Sequence, residues 1–436
     1  MRVWTSCIGQ RLDSAENTRT MLLCDALAQR GHEVTLWTSA YDHIRKRWRD
    51  EWQVHGEPGY IQPNGVKVRF MKGCGYGANV SVRRLVDHLL AARDLRRQAV
   101  TLPPPDAVIA SLPDHVTAAE IVRLGNELGA ATIVDVRDKW PDIFIDYAPS
   151  APLKALVRLG LSHETRRAAR ALRSADALVA MMDSMLSWGL AKAGRPAGAD
   201  DRVFYLTTTP QNITAPADAP PLAPAIAEVI AEAEGKIVLT FVGTFNRTQH
   251  PALILDAFDV LRRRGTLPDN LRFWIGGDGV DADSVRQRAA AMQAVHLLGW
   301  LDTPTMLAVL RHSDVGLLPM NFASPAFNNK AFAYLASGLP ILNGASGDLA
   351  ELIDAHGIGI NVAAGNAEAL ADAIVRISAD RATLAAFQAR TRSLFDSRFD
   401  RERNYQEYAA FVERITVAKQ AAPGALAQLD AHLAAA

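Results

Sequence analysis

Short apolar runs alternate along the first half of the chain with segments whose apolar residues recur every three or four positions. The runs lie at 34–39, 66–71, 106–111, 131–136 and 177–182. The segments between them, such as 18–31 and 115–129, have the spacing of amphipathic helices. Buried strands that alternate with helices are typical of a parallel sheet with helices on both faces. The pattern therefore predicts an α/β fold.

The pattern stops at 207–225, which is rich in Pro, Ala and Thr and has no periodicity, so it predicts a linker. Apolar runs then resume at 236–243, 271–277, 294–300, 315–320, 340–344 and 357–363. We predict two doubly wound, Rossmann-like domains that face a cleft, because ligands of such sheets bind at the carboxyl ends of strands. The predicted boundaries are 1–206, the linker 207–225, 226–402, and a C-terminal helix and tail at 403–436.

Composition narrows the classes of protein that fit. The chain has 436 residues, of which 49% are hydrophobic, and 47 basic residues balance 47 acidic ones. Cys7, Cys24 and Cys74 are too few and too far apart for a disulfide framework or a structural metal site. Neither a signal peptide nor a membrane-spanning run is present. We expect a cytoplasmic protein, soluble or peripheral on the inner face of the cytoplasmic membrane.

Basic residues cluster in the first half, at 45–49, 82–85, 93–98 and 163–173. Such clusters are either solvated helix faces or contacts for an anionic membrane surface or an anionic lipid substrate. Nucleic acid is not expected as a partner, because aromatic residues do not interleave with these clusters and the whole chain is neutral.

Two loops after predicted strands have residues suited to phosphate. In 241–251, Gly243 permits a tight turn and Arg247 offers paired donors, although an ordinary turn is the alternative. In 275–284, Gly277, Gly279 and Ala282 form a G-x-G-x-x-A fingerprint, and Asp302 lies 20 residues past Ala282, a combination that could indicate NAD. That fingerprint normally opens the first βα unit, and this one lies in the second. Asp281 and its neighbour Asp283 fit helix capping better than a metal-binding pair.

A third loop leads into a short helix from about Lys330 to Ser337, which Gly338 and Pro340 end. Asn328 and Asn329 are natural helix caps, and the Lys330 ammonium could meet an anion at the helix start. The chain has nine lysines against 38 arginines, so a lysine here favours a compact point charge close to phosphate. An exposed surface lysine is the alternative.

The order of motifs in the second half then identifies a resemblance. In sequence, FVGTFN, GGDG, HLLGWL, SDVGLLP, FNNKAFAYLASGLPIL and GDLAELIDAHGIGI resemble the C-terminal domain of retaining glycosyltransferases of family 4, which have the GT-B fold. Segments 14–39 and 133–147 are similar to bacterial polysaccharide and O-antigen members. The resemblance spans about residues 1–415. It implies transfer of a sugar from a nucleotide-diphosphate sugar, UDP being favoured over GDP, to a lipid-linked or glycan acceptor, without a metal or other cofactor.

The resemblance also implies roles for residues. The implied catalytic residues are Lys330, Arg247, Arg137 and Asp138. The implied donor-binding residues are Gly243 and Thr244 beside the diphosphate, Gly277, Asp278, Gly279, Gly299, Trp300 and Leu301 along the nucleotide, and Phe327, Asn328, Asn329 and Lys330 at the phosphates and sugar, with Ala333 at the ribose position.

Several positions depart from the family pattern. Thr244 stands where the family commonly has Arg, and Gln249 where it commonly has Lys. Arg137 and Asp138 replace a His-Asp pair that many members have. Asp138 could accept a hydrogen bond from a sugar hydroxyl. Arg137 could meet the diphosphate or form a structural pair with Asp138.

The two glutamates of the family fall at Pro325 and Ala333. The second one receives the ribose hydroxyls, which Ala333 cannot do. Three interpretations stay open: a natural variant that binds ribose otherwise, a naturally silent relative, or a deliberate change from Glu or Asp to Ala. The alternative functions are accordingly a catalytically silent nucleotide-sugar-binding protein, a nucleotide-sugar epimerase of the same fold and, as a minor one, an NAD enzyme.

Overall fold

The computed structural model describes residues 1–12, 18–57, 59–146, 148–207, 221–246, 248–323, 327 and 329–421. The chain divides into two compact units. Unit 1 is Met1–Tyr205 together with Arg403–Ala436, and unit 2 is Leu206–Glu402. Residues 208–220 of the predicted linker and 422–436 of the predicted tail lie outside the described residues.

Unit 1 alternates strands and helices, as the apolar pattern predicts. Its strands are β1 (Arg2–Ser6), β2 (Glu33–Ser39), β3 (Tyr41–Asp42), β4 (Arg47–Trp48), β5 (Tyr60–Ile61), β6 (Lys67–Met71), β7 (Ala107–Ser111), β8 (Ala131–Val136), β9 (Ala177–Ala180) and β10 (Arg202–Val203). Its helices are α1 (Arg19–Gln29), α2 (Asp50–His55), α3 (Val82–Ala99), α4 (His115–Glu127), α5 (Ile143–Asp146), α6 (Ala151–Gly160), α7 (Ser162–Ser174) and α8 (Asp183–Ala193).

Eight of the described strands of unit 1 form a sheet in the order β10-β9-β8-β7-β1-β2-β6-β5, parallel except for the edge strand β5, while β3 and β4 pair antiparallel with each other. Successive residues pack into different cores: Val3 and Ile133 belong to one cluster, and Trp4 and Val134 to the other. A parallel sheet that helices cover on both faces needs such continuous apolar strands. The order in which successive strands are added reverses between β1 and β7, and ligands of doubly wound sheets bind at this switch point.

Helix α17 (Arg401–Ala421) follows unit 2 in sequence but packs in unit 1. The Tyr408 ring stacks on Phe204 at 4.3 Å, and Glu413 accepts hydrogen bonds from Arg30 at 2.8 and 2.6 Å. The predicted C-terminal helix is therefore part of the unit 1 core.

Unit 2 repeats the same alternation. Its strands are β11 (Ile237–Val242), β12 (Leu271–Gly276), β13 (Val295–Gly299), β14 (Val315–Leu318), β15 (Ile341–Asn343) and β16 (Gly359–Asn361). Its helices are α9 (Pro224–Glu232), α10 (Ala252–Arg264), α11 (Ala282–Ala289), α12 (Thr303–Arg311), α13 (Asn329–Ala336), α14 (Asp348–His356), α15 (Ala367–Ile377) and α16 (Arg381–Arg398).

The described strands of unit 2 form a parallel sheet in the order β13-β12-β11-β14-β15-β16. This is the 3-2-1-4-5-6 order of a Rossmann sheet, with its reversal between β11 and β14. The α/β prediction of two Rossmann-like domains is confirmed, while the cleft between them stays a prediction. Within the described ranges, none of the helices is both long and apolar enough to span a bilayer.

Candidate functional site

Three loops at the carboxyl end of the unit 2 sheet lie against one another. The Gly243 N–H donates to the Gly276 carbonyl at 3.0 Å, and the Gly277 N–H donates to the Gly299 carbonyl at 2.7 Å. The Phe245 N–H donates to the Asp278 carbonyl at 2.9 Å. The loops that follow β11, β12 and β13 therefore form one connected surface, which brings the predicted glycines together.

Gly277 and Gly279 are glycines for a steric reason. Their φ angles are 138° and 154°, and a Cβ at either position would collide with backbone, the Gly243 carbonyl in one case and the Phe245 carbonyl in the other. Side chains rarely adopt such backbone angles, and glycine alone allows this approach. The close contact between the two loops thus requires the glycines of the G-x-G pattern, independently of any role in nucleotide binding.

Lys330 reaches this surface from the first turn of α13. Its Nζ lies 3.9 Å from the centroid of the Phe241 ring and directly over Gly243, where a Cβ would displace it. Nζ is buried and has no hydrogen-bond partner among the described residues. Burial lowers the pKa of Lys330 from 10.5 to about 7. An unpaired buried ammonium is costly, so its position suits an anion that arrives with a ligand.

The position of Lys330 is also topologically special. Gly243 follows β11, and α13 follows β14, so the two residues stand on either side of the strand reversal. Backbone contacts join the two sides, since the Asn321 N–H donates to the Thr248 carbonyl at 3.0 Å. Ligands of open α/β sheets bind at this reversal.

Tyr334 fixes the helix that carries Lys330. Its hydroxyl donates to the Leu317 carbonyl and accepts from the Val242 N–H, both at 3.1 Å, so one buried side chain ties α13 to β14 and β11. Because Tyr334 lies one turn after Lys330, these bonds set where the ammonium points. The sequence did not assign Tyr334 a role. Its spacing of four from Lys330 is the signal that could have indicated one.

The loop after β11 has its own internal support. The Asn246 side-chain oxygen accepts from the Thr248 and Gln249 N–H groups at 2.9 and 2.7 Å, an Asx turn that shapes the segment around Arg247. Arg247 itself lies outside the described residues, as does Asn328. Asn329, predicted as a cap, is the first residue of α13, and nothing is described of its side chain.

The remaining donor-loop residues divide by exposure. Asp278 accepts from the Gly279 N–H at 2.9 Å and pairs with Arg286 at 3.1 Å on the surface. Trp300 is 74% exposed beside the Gly299 turn, and the neighbouring Leu301 packs against the core instead. An exposed indole next to the loop surface is available for stacking.

Two residues near α13 differ in their surroundings. Phe327 is buried, with its ring stacked on Phe332 at 4.4 Å and against Phe399, so its ring anchors the helix from the core. Ala333 is half-buried, one turn along from Lys330 on the same side of the helix. No carboxylate is therefore present at that place.

The acidic residues behind the smaller alternatives lie at or next to helix starts. Asp302, the acidic residue of the NAD fingerprint, caps α12 by accepting from the Thr305 N–H at 2.9 Å. Asp281 occupies the N-cap of α11 without a capping bond from its side chain, and Asp283 pairs with Arg286. Across the part of the chain that the structure describes, no three His, Cys, Asp or Glu residues are grouped to hold a metal ion.

In unit 1 Arg137 has a partner that differs from the two that the sequence left open, the diphosphate and Asp138. Arg137 pairs with Asp135 at 2.9 Å and donates to the Thr20 hydroxyl at 2.9 Å. Asp135 also pairs with the buried Arg19 at 2.9 Å. Burial would raise the pKa of Asp135, but the two guanidiniums hold it below its usual value. Asp135 points inward from β8 and reaches both arginines, whereas Asp138 accepts from the Lys139 N–H at 2.7 Å. Burial raises the pKa of Asp138.

A cavity of about 200 Å³ opens at the strand reversal of unit 1. Arg137 lines it together with Arg84, His88 and Asp114. His88 and Asp114 are buried partners, with Nδ1 and Oδ1 3.0 Å apart. Asp114 also caps α4. The sequence analysis missed this pair, which no local motif joins because 26 positions separate the two residues.

Two protein-family models match the chain. Residues 15–206 match the family model described as glycosyl transferase 4-like domain, and residues 236–380 match the model described as glycosyl transferases group 1. Together they cover well over half of the chain. The chain belongs to the GT-B glycosyltransferases.

Solved structures share the fold of this glycosyltransferase at low sequence identity. Sucrose-phosphate synthase from Thermosynechococcus elongatus is 15% identical with a TM-score of 0.67, over 96% of this chain and 99% of its own. HepE from Anabaena in complex with UDP is 13% identical with a TM-score of 0.61, over 95% and 99%. WaaG, a glycosyltransferase involved in lipopolysaccharide biosynthesis, is 15% identical with a TM-score of 0.57, over 94% and 99%. No curated protein matches the sequence.

Proposed function

We propose that this glycosyltransferase moves a sugar from a UDP-sugar to a lipid-linked or glycan acceptor in surface polysaccharide assembly, with retention at the anomeric carbon. The observation that carries the proposal is the placement of the Lys330 ammonium. Its ammonium is buried and unpaired among the described residues, and it stands over Gly243 at the strand reversal. A diphosphate is the ligand that would satisfy this charge and the glycine loops together.

Lys330 has a defined part in the proposed reaction. The bond between the anomeric carbon and the diphosphate oxygen breaks, and a bond to the acceptor oxygen forms on the same face. Negative charge grows on the leaving diphosphate oxygen, which takes up the proton that the acceptor hydroxyl loses. A pKa of about 7 lets Lys330 take up a proton as that charge arrives. Arg247 supplies a second cation in this proposal, in place of the Arg that the family has at Thr244.

UDP is the proposed nucleotide because HepE was solved with UDP and with UDP-glucose. Whether the sugar is of the hexosyl or the N-acetylhexosaminyl type is left open. The exposed Trp300 indole could stack on the base, and the backbone of Gly299 to Leu301 could line it. The unit 1 cavity with Arg137, His88 and Asp114 is the proposed place for a polar group of the acceptor.

Attachment to the cytoplasmic face of a membrane completes the proposal. A lipid-linked acceptor requires it, and WaaG acts in lipopolysaccharide biosynthesis. The basic clusters of unit 1 would provide attraction to anionic lipids. This attachment should weaken at high salt, since exposed charges are screened within about 8 Å at physiological ionic strength.

The test of the proposal is donor binding by calorimetry. Wild type should bind UDP. Lys330→Ala should weaken UDP binding by about 1.5–3 kcal/mol, because the lost hydrogen bond is to a charged group. Binding of uridine, which has no phosphate, should hardly change. Equal UDP affinity in both proteins would remove Lys330 from the site. Absence of binding to UDP, GDP and their glucose conjugates would refute the function.

A catalytically silent relative is the second candidate, and Ala333 favours it. Without a carboxylate on the Lys330 side of α13, the ribose hydroxyls lose an acceptor. Ala333→Glu should raise donor affinity or turnover at least tenfold if that acceptor is what the site lacks, since such a bond contributes about 1.5–3 kcal/mol. Ala333→Gln, which matches Glu in size without the charge, is the control. If neither variant improves binding, the site handles ribose in another way.

A further inference from the structure

Helix α6, Ala151–Gly160, has no buried residue. Helices of globular proteins are held by an apolar face that packs on a core, so this one is unusual. Its leucines point outward: Leu153 is 40% exposed, Leu156 65% and Leu159 72%. Three large apolar side chains on one short helix therefore face away from the domain that carries them.

The residues of α6 are nevertheless segregated by polarity. The leucines recur every three positions and so share one side of the helix. Lys154 and Arg158 are four positions apart and form a line beside the leucines. This is the arrangement of helices that lie in the plane of a membrane interface.

The surroundings of α6 are strongly basic. Between Asp146 and Asp176 the sequence contains a single acidic residue, Glu164. The same stretch contains six basic residues: Lys154, Arg158, Arg166, Arg167, Arg170 and Arg173.

A cavity of about 340 Å³ lies beside α6, lined by Arg158 of α6 and Arg166 of α7 with the hydroxyls of Ser162 and Thr165. No ion pair of Arg158 or Arg166 occurs among the described residues. Two acids also line it: Asp142, which pairs with Lys192 at 2.5 Å, and Asp146. The two guanidiniums, unpaired within the described ranges, and the two hydroxyls match a phosphodiester headgroup.

We propose that α6 lies in the interface of an anionic lipid bilayer, with its leucines among the acyl chains and Arg158 and Arg166 at lipid phosphates. The inference rests on the membrane attachment proposed above and names the segment that makes it. A second copy of the chain is a poorer partner, because a two-fold contact would set the cations of α6 against themselves. Lipid satisfies the leucines and the arginines at once.

The experiment is co-sedimentation of the full chain with phosphatidylcholine vesicles that do or do not contain a quarter of phosphatidylglycerol. Leu156→Gln with Leu159→Gln should raise the lipid concentration for half-maximal binding at least tenfold. Glutamine keeps helix propensity close to that of leucine. Val417→Gln, at a 62% exposed position of α17, is the matched control and should bind as wild type does. Arg158→Gln should weaken binding about fivefold and reduce its salt dependence.

UDP affinity should be unchanged in all these variants, which also shows that they fold. If the double leucine variant binds anionic vesicles as well as wild type, α6 does not insert and attachment depends on charge alone. If wild type stays in solution even at low salt while it binds UDP, both membrane proposals fail and the donor site stands. If wild type is a dimer in sedimentation that the leucine variant breaks, with no effect on vesicles, the face is a self-association surface and the proposal is overturned.

Discussion

Replacing Lys330 by methionine is expected to stabilise the folded glycosyltransferase while removing its hold on a diphosphate. Methionine keeps the length and flexibility of the lysine stem and can lie against the Phe241 ring, which the lysine Nζ approaches at 3.9 Å. What is lost is a buried ammonium without a partner among the described residues. The exchange should therefore stabilise the protein when the site is empty and weaken its binding of a diphosphate.

The magnitude follows from the depressed pKa. Lowering the pKa of Lys330 from 10.5 to about 7 costs the folded state about 4–5 kcal/mol, at about 1.4 kcal/mol for each pH unit. Because packing around the new side chain must readjust, we expect Lys330→Met to recover about half of this cost, and the variant should be more stable than wild type by about 2–3 kcal/mol. Between pH 7 and 10.5 the folded wild type binds fewer protons than the unfolded chain, and its stability therefore rises with pH. The advantage of Lys330→Met is thus full below about pH 7 and disappears towards about pH 10.5.

The assay is urea unfolding of wild type and Lys330→Met at a series of pH values between about 6 and 10. Lys236→Met, which changes a lysine at the start of β11 in the same unit, is the matched control. A Lys330→Met variant that is less stable than wild type, or a difference that does not change with pH, would refute the idea that this ammonium is costly. Calorimetry should then show UDP affinity reduced at least tenfold in the same variant.

Three further predictions concern the same unit. UDP affinity of wild type should fall as pH rises above about 7, because Lys330 must be protonated to hold the diphosphate; calorimetry in buffers of different ionisation enthalpy should show proton uptake near neutral pH. Gly277→Ala should cost more than about 2 kcal/mol in urea unfolding and abolish UDP binding, whereas Gly265→Ala, with φ of 66° and open space around it, should cost about 1 kcal/mol. Tyr334→Phe should destabilise by about 1–3 kcal/mol and weaken UDP, because it leaves buried backbone groups of two strands without that partner.

Much of the fold could be predicted because the apolar runs and the strands are the same feature. The runs at 131–136, 236–243 and 271–277 contain β8, β11 and β12, each buried almost throughout. The loop glycines could be predicted for a related reason. A φ that side chains avoid leaves glycine as the one residue that fits, so the requirement is visible in a single sequence.

Long-range packing could not be predicted in the same way. The run at residues 2–6 that forms β1 was not recognised, and α17 was treated as a separate segment although its Tyr408 lies at the centre of the unit 1 core. The sequence left the diphosphate and the neighbouring Asp138 open as partners of Arg137, whereas Asp135, two positions before Arg137 on the inward side of β8, pairs with it. The sequence placed Phe327 in the donor segment without indicating that its ring packs in the core. In each case the partner is set by tertiary contacts that no local pattern encodes.

The diphosphate position and the ribose position of the proposed donor site differ in how well their residues suit the ligand, and this difference bears on the function of the site. At the diphosphate position, Gly243 leaves room for the Lys330 ammonium and Gly277 leaves room for the Gly243 carbonyl. Tyr334 holds the helix that carries Lys330. At the ribose position, one turn along α13, Ala333 provides no polar group. Local departures in natural proteins tend to persist where function compensates them. A chain that had lost all use for a nucleotide would have no reason to keep a buried, unpaired ammonium, because methionine would stabilise it. The retained cost at Lys330 therefore argues for a working diphosphate site, and it places the open question at the ribose.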